Sequence, residues 1–545
     1  MRSHRTIVSG RLRRIMVLCG AAAASAALFA QSITIGLSGD ITAFDPHYHN
    51  VGPNNSAAAH VFERLVAMDE QQRLKPGLAL SWKPVDDLNW EFKLRKGVKW
   101  HDGSDFTADD VIFTLDRVPK VPNSPSSFST YVRPIKAIRA IDAHTLVMTT
   151  EKPHPLLPND LSTVYIVSKK AAASASTDDF NNGKAAIGTG PYKLVRFAKG
   201  DRLELARNDA WWGGKTPWEK ATLRILTNDP ARVAALLSGD IQALENAPTA
   251  DMARLKNDKN LSLARVGSNR LIYLHLDSNR DVSPFVTDKQ GKPLTKNPLK
   301  DARVRKAISL ALNRDAIVSR VMEGEAVAAG QPLPDGYPGT SKNLKPDKFD
   351  TAQAKKLLAE AGYPDGFGIT IHAPNNRYVN DEQIAQAVAQ MLSRAGIATK
   401  VDAMPSSVYF TRATKLEFSL MLLGWSAGSG EMSDSLRPLL GTFDAKKGWG
   451  NANRGRYSNS KFDAMLEDAL VTINDAKREA LLARATEIAM ADQGIIPLHF
   501  QMNVWAMKKN LSYSPRTDEY TFAWMFKPSG NERPPDEKRS RLNSR

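Results

Sequence analysis

Ile33, Ile35 and Leu37 alternate with Thr34 and Gly36, the period-two pattern of a half-buried strand. The same alternation returns further on. Trp90, Phe92 and Leu94 fall on one face, with Glu91, Lys93 and Arg95 on the other, and Asp102-Gly103 supplies a turn. Thr107-Ala108-Asp109-Asp110 then opens a helix whose spacing puts Val111, Phe113, Leu115 and Val118 together. Pro119 and Pro122 end it, and residues 119–130 read as a loop. Residues 146–150 form another strand, so this stretch is predicted to be sheet-rich. A second block opens at the turn Gly188-Thr189-Gly190-Pro191-Tyr192. It continues through a strand at 221–226 to a helix at 229–237 closed by Gly239.

From about Asn269 the period changes. Val304, Ile308, Ala311 and Leu312 stand at helical spacing. Asp350 with Gln353 is a capping-box pattern for a helix that stops at Gly362. Residues 368–372 form a strand, and Asn380 with Gln383 opens a helix bearing Ile384, Val388, Met391 and Leu392. Strands follow at 397–401 and 418–423. Helix alternating with strand predicts an α/β unit with helices packed on a largely parallel sheet. Two helices occupy roughly 460–490, and a late strand at 495–500 returns the chain toward its first block.

The chain has 545 residues, 42% of them apolar, and ten tryptophans, enough for substantial cores. The formal charge of +16 is spread along the chain, with a basic cluster at Arg2, Arg5, Arg11, Arg13 and Arg14 and another at Lys538, Arg539, Arg541 and Arg545. No interleaved basic and aromatic ladder accompanies it, so no nucleic acid is expected as a partner. The leading arginines precede an uncharged run rich in Ala, Leu and Val from Ile15 to Ala30. This is the layout of a cleaved secretory signal, and the run is shorter than the ~20 residues of a membrane span. The single cysteine, Cys19, lies inside that segment. An exported mature chain would then have no disulfide and no thiolate metal site. Residues 529–545 read as a disordered tail.

Several short motifs point toward chemistry and are weighed individually. Gly424-Trp425-Ser426-Ala427-Gly428 matches the nucleophile elbow of a serine hydrolase, with His499 as the downstream base. No His-Gly-Gly oxyanion loop precedes it, so a glycine-rich turn at the end of a strand is preferred and no enzyme is expected. His47, His49 and His60 offer a His-x-His pair without a helical carboxylate-histidine motif, and no metal or cofactor is expected. Asp109-Asp110 suits a helix N-terminus better than acid–base work. Gly188-x-Gly190 fails as a phosphate loop because Pro191 lacks the needed N–H.

An ordered set of segments resembles the family 5 solute-binding proteins of ABC importers, the dipeptide and oligopeptide binders. The matches are Phe44-Asp45-Pro46-His47; Pro76-Gly77-Leu78-Ala79 followed by Ser81-Trp82; Phe92-x-Leu94-Arg95-Lys96-Gly97-Val98-Lys99-Trp100-His101-Asp102-Gly103; Thr107-Ala108-Asp109-Asp110-Val111; Gly188-Thr189-Gly190-Pro191-Tyr192; Asp301-x-Arg303-Val304-Arg305-x-Ala307-Ile308; and Ile496-Pro497-Leu498. The resemblance implies an α/β two-lobed periplasmic binding protein of type II with an extra subdomain inserted in the first lobe. The implied division is a signal at 1–30, lobe I at 31–68, 185–268 and 495–528, the insertion at 69–184, and lobe II at 269–494. Two crossover strands would join the lobes, which close on a short peptide or amino-acid-derived solute and present it to a permease complex in the inner membrane. A monomer is expected. The alternative expectation is the same fold holding a metal-chelate, sugar or opine-like ligand.

The resemblance also implies where ligand contacts fall. Dipeptide binders hold the ligand ammonium with an aspartate three residues after a tryptophan. Trp425 matches that tryptophan, but Gly428 stands at the third position. Glu431 is the expected substitute, with Asp434 the second choice. Their carboxylate-binding arginine precedes the helix that matches the one opening at Asn380. Asn375 occupies that position and Arg377 follows two residues on, expected to take over. Tyr378 and Tyr48 are expected to line the cleft with Trp425.

Overall fold

The computed structural model describes residues 32–529; the leader and the basic tail lie outside the described residues. One twelve-stranded sheet runs the length of the fold. Ser32–Leu37 lies in it between Lys220–Ile225 and Ala243–Leu244, both parallel to it. Two long strands, Leu261–Leu276 and Ile496–Lys508, follow as an antiparallel pair. Beyond them come Leu420–Trp425, Phe367–Pro374 and Val286–Thr287.

Side-chain alternation explains how one sheet serves several cores. Ile33, Ile35 and Leu37 face one core of the first half with Trp505 and Met507, while Val504 and Ala506 face another. Gly36 turns toward the second of these, where a Cβ would meet Ile241 Cδ1 at 2.7 Å. In the second half, Ile272, Leu274, Leu420 and Leu422 pack into one core and Leu271, Tyr273, Met421 and Leu423 into the other. The uninterrupted apolar run at 420–423 is therefore a strand buried on both faces. A separate four-stranded antiparallel sheet spans Ala79–Pro84, Asn89–Leu94, Thr145–Thr150 and Ile135–Asp142, and buries its own cluster around Phe92, Trp100, Phe106 and Leu146.

Most predicted elements form. The helix Ala108–Arg117 opens with Thr107 N–H donating to Asp110 Oδ2 at 3.0 Å. Asp350 accepts from Gln353 N–H at the start of Thr351–Glu360. Gly239, at φ 92°, closes Asp229–Ser238.

Two expectations need correction. The second-half sheet is mixed, because Phe367–Pro374 runs parallel to Ile397–Met404 and Leu420–Trp425, whereas the two long strands join antiparallel. Asn380 does not cap its helix through its side chain. It takes a left-handed backbone (φ 54°) and donates from Nδ2 to Thr249 Oγ1 and Val321 O.

The two long strands carry the chain between the halves. They pair from Leu261↔Lys508 to Gly267↔Met502, and resume at Leu271↔Phe500. Ser268, Asn269 and Arg270 therefore bulge out of the ladder opposite Gln501, at the crossing point.

A candidate solute cleft at the seam between the two halves

The bulge places two polar side chains at the seam. Asn269 Nδ2 donates to Gln72 Oε1 (2.6 Å) and to Ala427 O (2.7 Å). Gln72 sits at the tip of a hairpin with a left-handed backbone (φ 59°), and its Nε2 donates to Ala427 O (3.1 Å). Asn159 Nδ2 adds a bond to Ser429 O at 3.0 Å. The segment after Trp425 is thus tied to the first half by side chains that satisfy its carbonyls.

Arg270, the next residue of the bulge, makes a bidentate pair with Glu519, with Nε–Oε1 and Nη2–Oε2 both 2.7 Å. Burial works against the charge of Glu519, yet the Arg270 guanidinium prevails and holds the carboxyl below its usual range. Arg377 extends toward the same group. Arg377 is exposed at the edge of the seam; the protein packed around it and the positive charge of Arg270 lower its pKa, and among the described residues its guanidinium makes no hydrogen bond or ion pair. Its loop is built for it, because Asp381 Oδ2 accepts the backbone N–H groups of Arg377 (2.9 Å) and Tyr378 (3.0 Å). Tyr378 is buried, donates to Gly424 O at 3.3 Å, and has the Arg377 guanidinium 5.2 Å from its ring centre. Gly424 makes room for that ring, since a Cβ there would lie 2.5 Å from Tyr378 Cε1.

The acids divide differently from expectation. Glu431, the expected ammonium anchor, is 1% exposed. Its Oε1 accepts from Arg478 Nε at 3.1 Å, and its Oε2 accepts from the Ser433 N–H at 2.9 Å and from the Ser433 hydroxyl. It is an internal ion pair with little left to offer a ligand. Asp434 takes the other position. A Cβ on Gly428 would lie 3.9 Å from Asp434 Oδ2, so its carboxylate reaches the space an acid at 428 would use. That oxygen accepts only the Ser429 N–H (3.0 Å) among the described residues, and burial pushes the pKa up. The Trp425 indole N–H donates to the Asp434 backbone carbonyl at 3.2 Å, which fixes the segment. Tyr131 faces the same region; burial and then the Asp434 charge raise its hydroxyl pKa, and Asn50 Nδ2 reaches it at 3.4 Å.

The remaining candidates are placed as follows. Asn375 is exposed and engaged through its backbone N–H to Met404 O. Tyr48 is half-buried, and its carbonyl accepts from Ser124 Oγ. Ser426 donates its hydroxyl to Asn269 Oδ1. His499 is fully buried and, among the described residues, neither ring nitrogen has a partner, so Ser426 and His499 do not form the serine–histidine pair of a hydrolase. His47 bonds Tyr165 O and Arg117, His49 bonds Thr42, and His60 bonds Ser56 O; the three do not converge. Among the described residues no group of three or more His, Cys, Asp or Glu is placed to hold a metal.

Arg270, Asn269, Glu519, Gln72 and Tyr131 escape sequence reasoning. They come from a bulge, a hairpin tip, a turn and, for Tyr131, the one-turn helix Ser129–Val132, none long enough to carry a periodic signal.

Comparison with known proteins matches this architecture. The profile of bacterial extracellular solute-binding proteins, family 5 Middle, covers residues 73–447. The chain is 28% identical over 476 residues to heme-binding protein A of Haemophilus influenzae, covering 82% of each. It is 28% identical over 509 residues to glutathione-binding protein GsiB of Salmonella typhi, covering 91% of this chain and 94% of that one. Among solved structures, the substrate-binding protein CtaP from Listeria monocytogenes superposes with a TM-score of 0.79 at 23% identity, covering 91% of this chain and 99% of that one. DppA from Helicobacter pylori in complex with the peptide STSA superposes at 0.73 and 24% identity, covering 91% and 98%. These structures share the two-lobed fold. The chain belongs to the bacterial extracellular solute-binding proteins of family 5, the solute-binding components of ABC importers.

Proposed function

We propose that this protein is a periplasmic receptor for a short peptide or amino-acid-derived solute that carries both a free carboxylate and an ammonium group. The supporting observation is the pair of charges at the seam: the Arg377 guanidinium, which has no partner among the described residues, and the Asp434 carboxylate beside Gly428. A guanidinium suits a carboxylate because it presents parallel N–H donors, and a half-buried acid suits an ammonium. Trp425 and Tyr378 flank the space between them.

In this reading lobe I comprises residues 31–68, 185–268 and 495–528, the inserted subdomain 69–184, and lobe II 269–494. The lobes hinge where Ser268, Asn269 and Arg270 leave the ladder. Bound solute completes the seam, and a permease complex in the inner membrane takes it over chemically unchanged. The leader directs export, and the protein works as a monomer. The heme- and glutathione-binding relatives show that cargo varies among similar chains, so the two charges carry the argument for this one.

Small-angle scattering tests the hinge. A saturating dipeptide should lower the radius of gyration. An identical profile with a peptide that calorimetry shows to be bound counts against closure.

A further inference from the structure

A cavity of about 880 Å³ reaches the segment that follows Trp425 at Gly430 and Glu431. The inserted subdomain and the 71–74 hairpin form one wall, and residues 335–338, 430–431 and 473–479 the other. Arg270, Arg377, Trp425, Asp434 and Glu519 do not line it, so it is separate from the cleft described above.

Its walls have a definite chemistry. Trp82 and Trp90 share one face of the strand pair, since Trp82 opposes Phe92 and Pro84 opposes Trp90. Tyr337 stands on the other wall and donates its hydroxyl to Gln72. Trp90 is 6% exposed, so Trp82 and Tyr337 offer the accessible ring surfaces.

The charges are unbalanced. Arg73 is held by Asp69 and Asp335 by Lys345, partners that lie off the cavity. That leaves Arg478 facing Glu431, Asp475 and Glu479; Arg478 pairs with the first two, and Glu479 has no ion pair among the described residues. Excess negative charge beside tryptophan and tyrosine rings favours an organic cation, which gains both Coulomb and cation–π attraction.

We infer that this cavity is a further binding site, for a small organic cation. The cation sits against Trp82 and Tyr337 with Glu479 as counter-charge. Because the walls belong to both halves, an occupant also bridges the seam.

Choline is a suitable probe, since it carries a quaternary ammonium. Calorimetry on the full-length mature protein should show choline binding, at least tenfold tighter than 3,3-dimethylbutan-1-ol, its uncharged isostere. Trp82→Ala and Glu479→Gln should each weaken choline at least fivefold. Asp434→Asn should retain choline binding even where it loses the cleft solute, which separates this site from that one. The inference is overturned if choline does not bind at millimolar concentration, if the uncharged isostere binds as well, if both Trp82→Ala and Glu479→Gln leave choline unaffected, or if Asp434→Asn abolishes it.

Discussion

Glu431 and Asp434 belong to the same segment of the second half, yet one faces inward to Arg478 and the other faces the cleft beside Gly428. Burial raises the pKa of both. For Glu431 the protein supplies its own cation and two donors from Ser433, and the group becomes part of the scaffold. For Asp434 it supplies one backbone N–H and leaves the charge otherwise open. An acid's role in a binding protein is thus decided by whether the fold has already given it a counter-ion, and sequence proximity to the tryptophan does not reveal that.

The contrast can be broken most forcefully from the Glu431 side. Arg478→Met leaves a buried carboxylate without its partner and should cost about 3–5 kcal/mol of stability in thermal or denaturant unfolding. Glu431→Gln should act on stability in the same assay and leave ligand affinity within about twofold. A large affinity loss in that variant at full fold would return Glu431 to the site. Next in size, Asp434→Asn or Arg377→Ala should each weaken a zwitterionic dipeptide by about 2–4 kcal/mol in calorimetry while leaving the unfolding midpoint nearly unchanged.

Smaller effects follow from the seam. Gln72→Ala removes the bonds to Ala427 O and from Asn269, at about 1 kcal/mol each, and should shift scattering profiles toward the open form. Smallest is the response to pH. Asp434 must be ionised to hold an ammonium, and its pKa is raised, so it holds its proton at higher pH than an ordinary aspartate. Affinity should be greatest above that pKa and fall as pH drops through it. Asp434→Asn should flatten this dependence on the acid side of neutrality, as read by calorimetry.

Much of the scaffold was legible in the chain. Strand alternation at 33–37 and 90–94 and the caps at Thr107, Asp350 and Gly239 each act locally, and each formed as read. The carboxylate-binding position was less legible, because the motif match falls on Asn375, which is exposed, and Arg377 two residues on is the residue proposed for that role. Strand direction in the second half was not legible, since pairing partners lie far apart in sequence: Leu420–Trp425 finds Leu271–Leu276 at the crossing strand rather than only its parallel neighbour. The ion pair of Glu431 was hidden for the same physical reason. Its partner, Arg478, lies on a helix 47 residues away, and nothing local announces the pair. Arg270 and Glu519, 249 residues apart, meet only because a three-residue bulge pushes one of them out of the ladder.

Calorimetry with one dipeptide and its two capped forms tests the central claim most directly. With Arg377 and Asp434 each holding one end, the free dipeptide should bind at least thirtyfold tighter than either its N-acetylated or its C-amidated form. Asp434→Asn should erase the penalty for acetylation while keeping the penalty for amidation. Equal affinity for all three ligands in the wild-type protein would contradict the account.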